Sequence, residues 1–163
     1  MKKISIVLVL LFTVLTVRAQ FQAGKAYLGA SLTGLNMSYN GQDGFNFGVE
    51  AKAGYLFEDN WMVLGQAGLN HYGSDAVADN FMAGVGLRYY IIQNGLYLGL
   101  NGKFVHGYHS YNDVMPGAEV GYAFFINRSV TIEPAVYYNH SFKNSDYSTV
   151  GLKIGLGIYL FDD

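Results

Sequence analysis

Beyond residue 20, apolar and polar side chains alternate with a period of two, in runs separated by clusters of turn-forming residues. Over residues 45–57, Phe45, Phe47, Val49, Ala51, Ala53, Tyr55 and Phe57 fall on one face. Asn46, Gly48, Glu50, Lys52, Gly54 and Leu56 fall on the other. Successive side chains of a strand point to opposite sides, so this spacing predicts a strand. The same split recurs over 81–91, 96–104, 116–126, 130–139 and 150–160. Residues 61–72 alternate more weakly, and 27–39 changes phase near Gly34, as at a bulge. Eight strands are predicted. The connections at 58–60, 93–95 and 127–129 are short and rich in Asn, Asp, Gly and Ser. They alternate with longer polar stretches at 40–44, 74–80, 109–114 and 143–147. Tight turns at one end and longer loops at the other are the signature of an outer-membrane barrel.

Alternation alone also fits a soluble sandwich or a lipocalin-like barrel, and the charges separate the two. The strand-interior charges are Glu50, Lys52, Arg88, Lys103, Glu119, Glu133 and Lys153, and each falls on the polar face of its strand, the face that is rich in glycine in most of them. A soluble barrel would turn its apolar face inward and leave a wet surface with about one charge per strand. Soluble surfaces carry far more, roughly a quarter to a third of residues. In a membrane barrel the apolar face meets lipid, where a Lys or Arg at mid-depth costs about 2–4 kcal/mol, and the inward face is free to be polar. The predicted fold is therefore all-β: an eight-stranded antiparallel up-and-down transmembrane β-barrel. A lumen of that size is filled by side chains. The four cations and three anions are expected to pair across it as a structural plug, with the inward glycines making room for them. The alternative is a narrow channel for ions or small solutes lined by the same residues.

Composition agrees. Charged residues make up 13% of the chain and aromatic ones 16%, against about 25% charged in ordinary soluble proteins. There is no Cys, which excludes disulfides, thiolate metal sites and lipid attachment through an N-terminal Cys. Lys2 and Lys3 precede a short apolar run over 4–17, and Val17-Arg18-Ala19 follows. This reads as a signal peptide over 1–19, cleaved between Ala19 and Gln20, with the barrel domain over 20–163. The run is shorter than the ~20 residues a membrane anchor needs. Without residues 1–19 the chain holds seven Lys and Arg against twelve Asp and Glu. That acidic balance argues against a nucleic-acid partner.

Taken together, the export signal, the eight alternating strands, the charged inner face and the aromatic-rich last strand resemble the small outer-membrane β-barrels. The likeness is to the OmpX/OmpA type, especially the short barrel proteins common in Bacteroidetes. It implies location in the outer membrane of a Gram-negative bacterium. It also implies outer-membrane lipid as surroundings, and a barrel-assembly machinery that reads a terminal aromatic residue during biogenesis. Here Phe161 is followed by Asp162 and Asp163, which displaces that signal slightly. A monomer is expected, with no cofactor; a surface ligand is left open.

Barrels of this size include lipid A-modifying enzymes, whose chemistry needs a base beside a nucleophile. The histidines are His71, His106, His109 and His140, and the serines near them are Ser74, Ser110 and Ser141. Partners on one strand sit two apart, and no His-x-Ser occurs. Only a cross-strand triad remains, and the expectation is that the protein is not an enzyme. His109 and Asp113 share one connection, which metal chemistry permits; polar rim residues are the simpler reading. The glycine alternations at 84–86 and 155–157 lack the strand–turn–helix setting of a nucleotide site. Asn127-Arg128-Ser129 matches a glycosylation pattern but falls in a tight turn.

Overall fold

The computed structural model describes residues 21–33, 46–72, 80–91, 95–107, 111–143 and 148–160. The signal peptide, its cleavage site, His109, the phase change near Gly34 and Phe161 lie outside the described residues. Eight strands run in chain order. They are β1 (Ala26–Thr33), β2 (Asn46–Glu58), β3 (Trp61–Tyr72), β4 (Asn80–Tyr90) and β5 (Leu96–Gly107), then β6 (Tyr111–Tyr122), β7 (Val130–Asn139) and β8 (Thr149–Leu160). A two-residue extension, Phe124–Phe125, continues β6 beyond a break at Ala123 and pairs with β7. The break arises where the Ala123 N–H leaves the ladder and donates to the Gly95 carbonyl at 2.8 Å.

Every neighbouring pair is antiparallel, and each strand lies beside the next in sequence. β8 returns to β1, with Ala26 opposite Leu160 and Leu32 opposite Ile154. The ring closes, and among the described strands no edge is left bare. Strands β2 to β8 have 10 to 13 residues, enough for the 9–11 that a tilted strand needs to cross a bilayer.

The turn chemistry explains one end. Asn60 adopts a positive φ of 67° between β2 and β3, and a register shift at Phe57 lets the two strands meet there. Gly95 has a φ of 77° before β5, and a Cβ there would come within 2.7 Å of the Ala123 carbonyl. The Asn127 side chain accepts the N–H groups of Ser129 and Val130, both at 2.8 Å. Asn127 is thus the first residue of an Asx-type turn.

One predicted boundary is corrected. Residues 109–114 read as a loop, but β6 already begins at Tyr111 and pairs with β5 down to Gly107. The polar run Tyr111-Asn112-Asp113 is still a strand because its inward residue, Asp113, is buried against a partner.

The molecule is inverted relative to a water-soluble one. Leu100 is 66% exposed and Val85 68%, whereas Arg88 is 1% exposed and Glu50 2%. Between the strand ends, the described outward positions carry no Asp, Glu, Lys or Arg. Toward the turn end the outer wall displays Tyr55, Phe57, Trp61 and Phe124, and toward the loop end Phe81, Phe104, Tyr138 and Phe142. Leu, Val and Ile fill the band between.

Candidate functional site

The buried side chains form layers inside the ring. At the turn end lies an aromatic layer. Phe21, ahead of β1, tucks under the barrel and stacks on Tyr90 with ring centroids 3.7 Å apart. Tyr159 and Phe125 pack against it at 5.5 and 5.7 Å. The backbone holds Phe21 in place. Asn60 N–H donates to the Phe21 carbonyl, Gly24 N–H to the Leu56 carbonyl, and Ala23 N–H to Asp59 Oδ1, all at 2.8–2.9 Å. Leu56, Met62 and Leu64 complete the layer. The sequence reading missed Phe21, because nothing local marks a residue before the first strand as an interior one.

Above this layer the structure brings together all seven strand charges. Arg88 is the centre. Its Nη1 donates to Glu133 Oε2 at 2.9 Å and its Nη2 to Glu119 Oε1 at 3.0 Å. Its guanidinium lies 3.9 Å from the Tyr97 ring centroid, a stacking contact favourable for Arg. Glu119 also receives Lys153 and, at 3.5 Å, Lys52. Glu50 pairs with Lys52 at 3.2 Å and Lys103 at 3.0 Å. Glu133 takes four donors: the Tyr27 hydroxyl and Arg88 on Oε2, and the Thr131 and Tyr159 hydroxyls on Oε1. Charged hydrogen bonds of this kind are the strong ones, and in a low-dielectric interior each depends on the others.

Glycine provides the room. A Cβ on Gly99 would sit 2.5 Å from Glu119, and one on Gly157 would sit 2.6 Å from Glu133, Thr131 and Tyr27. A Cβ on Gly121 would strike the Tyr97 hydroxyl at 2.3 Å. The long side chains cross the lumen over their neighbours' glycines.

Nearer the loops, Asp113 accepts the Ser141 hydroxyl at 2.5 Å. The His140 ring lies 3.3 Å from the Ser148 hydroxyl and 3.2 Å from the Tyr138 hydroxyl, on the outer side. His106 pairs with Asn112 at 2.6 Å. The structure thus places a His–Ser contact on one face and a Ser–Asp contact on the other; Ser74, His109 and Ser110 lie outside the described residues. Among the described residues, no group of three or more His, Asp or Glu is placed to hold a metal ion.

No protein-family model matches the chain, and no curated protein matches it. Solved structures do. The N-terminal β-barrel domain of Pseudomonas aeruginosa OprF superposes with a TM-score of 0.59 at 11% identity, over 85% of this chain and 98% of that one. The Yersinia pestis outer membrane protein Ail in a phospholipid bilayer nanodisc gives 0.56 at 17% identity, over 84% and 99%. Neisserial surface protein A gives 0.54 at 15% identity, over 82% and 94%. At such identities the likeness concerns the backbone alone. It agrees with the closed ring: the chain has the eight-stranded fold of the small outer-membrane β-barrels.

Proposed function

We propose that the chain is an integral outer-membrane protein, exported by residues 1–19, whose lumen is closed and whose role is structural or a surface interaction rather than transport or catalysis. The observation that carries this reading is the inversion of polarity. Leu, Val and Ile face outward in a band between two aromatic girdles, while seven charged side chains are buried in mutual contact. An aliphatic band flanked by aromatics matches the lipid-facing surface of such barrels. The turn end would face the periplasm and the loop end the exterior. Biogenesis would draw on the barrel-assembly machinery and leave a monomer in outer-membrane lipid.

Closure follows from packing. The aromatic layer under Phe21 and the ion pairs above it lie in series along any path through the ring, so a solute would have to displace both. Planar-bilayer recording of the refolded protein tests this. Little or no conductance is expected, and neutralising Lys103→Gln or Glu119→Gln is expected to lower stability instead. Stable single-channel openings that change in those variants would establish the channel reading in its place.

A further inference from the structure

We infer that the ion-pair plug contains a binding site for one monoatomic halide, between Ser31, Arg88, Lys52 and Lys153. It rests on the reading of the lumen as a packed plug but assigns it an occupant. A partly open pocket of about 10 Å³ borders the network, lined among others by Ser31, Lys52, Arg88, Tyr97, Glu133 and Lys153. That is the space of roughly one small guest. Ser31 is 5% exposed and Arg88 1%, and both leave a buried polar atom without a partner: Ser31 Oγ and Arg88 Nε. Buried polar atoms of this kind ordinarily have one.

The chemistry of the lining selects the guest. Arg88 Nε can only donate, and Lys52 and Lys153 bring further N–H groups, since both ammoniums converge on one oxygen, Glu119 Oε2. The one carboxylate in the wall, Glu133, already accepts two hydrogen bonds on each oxygen. The wall therefore offers donors and three positive side chains, and among its unpaired side-chain atoms only the Ser31 and Tyr97 hydroxyls can accept, each of which can also donate. A water molecule there brings two hydrogens of its own and no charge. A halide has none to place, accepts from every donor at once, and offsets the local positive excess, which is costly where water is absent.

Crystals of the refolded barrel grown with bromide as the sole halide, measured at the bromine edge, test the site. An anomalous peak within hydrogen-bonding reach of Arg88 Nε and Ser31 Oγ is expected. Ser31→Ala removes one donor to a charged guest and is expected to weaken binding about tenfold. Binding can be followed as the rise in unfolding temperature on replacing gluconate by bromide at constant ionic strength. That rise is expected in the wild type and should shrink in Ser31→Ala. Density in the pocket without anomalous signal, or an empty pocket, overturns the inference, as does a bromide effect equal in both proteins. Conductance separates the two readings: a conducting lumen with the bromide peak removes the closure and keeps the site, and a silent lumen without the peak does the reverse.

Discussion

At the scale of single residues the interior is decided by where a Cβ is absent. Gly157 lies beneath Glu133, Thr131 and Tyr27, so Gly157→Val would force that whole cluster apart. Overpacking of this kind costs about 1–3 kcal/mol, to be read as a lower urea midpoint in detergent or liposomes. Gly102 faces outward with nothing within 4 Å of the position its Cβ would take. Gly102→Ala is expected to change stability by no more than about 0.5 kcal/mol in the same assay. The face each strand charge occupies follows from the two-residue period, which is a local property and so legible in the sequence. Which charges meet is not. Glu119 on β6 gathers Arg88 from β4, Lys52 from β2 and Lys153 from β8. That convergence depends on strand register and ring closure, which no local window carries.

The strands are the most legible level. Their number, their antiparallel order and the alternation of turns and loops all appear in the spacing of apolar residues, because period and turn chemistry act over a few positions. The beginning of β6 was misplaced for an equally physical reason. Tyr111, Asn112 and Asp113 look like loop by composition, yet they pair with Gly107, His106 and Val105 of β5, and Asp113 buries its side chain against Ser141. The outer face of β5 offers the sharpest test of the surroundings. Leu100 stands in the middle of that face, 66% exposed. In lipid, Leu100→Arg is expected to cost about 2–4 kcal/mol of folding stability in liposomes. For a barrel surrounded by water the same change would be nearly neutral, so urea titration of this one variant separates the two settings.

For the whole molecule, the turn end is where chain outside the strands reaches the interior. That end is packed by a residue that belongs to no strand, and Phe21→Ala would leave a hole under Tyr90, Tyr159 and Phe125. Loss of a buried aromatic ring costs about 3–5 kcal/mol, and the near-ultraviolet tyrosine dichroism should weaken with it. A change near zero would show that the backbone links from Gly24 and Asn60 close the mouth unaided. The pairing of β1 with β8 has a further consequence, for the order of assembly. Ala26 meets Leu160, so the seam joins nearly the whole length of the described chain. Contacts that distant are slow to form, since the loop entropy must be met before any pairing rewards it. Hydrocarbon also does not tolerate an unpaired strand edge. In a bilayer, completion would thus be an all-or-none event awaiting the last strand, and a chain truncated before β8 should remain outside it.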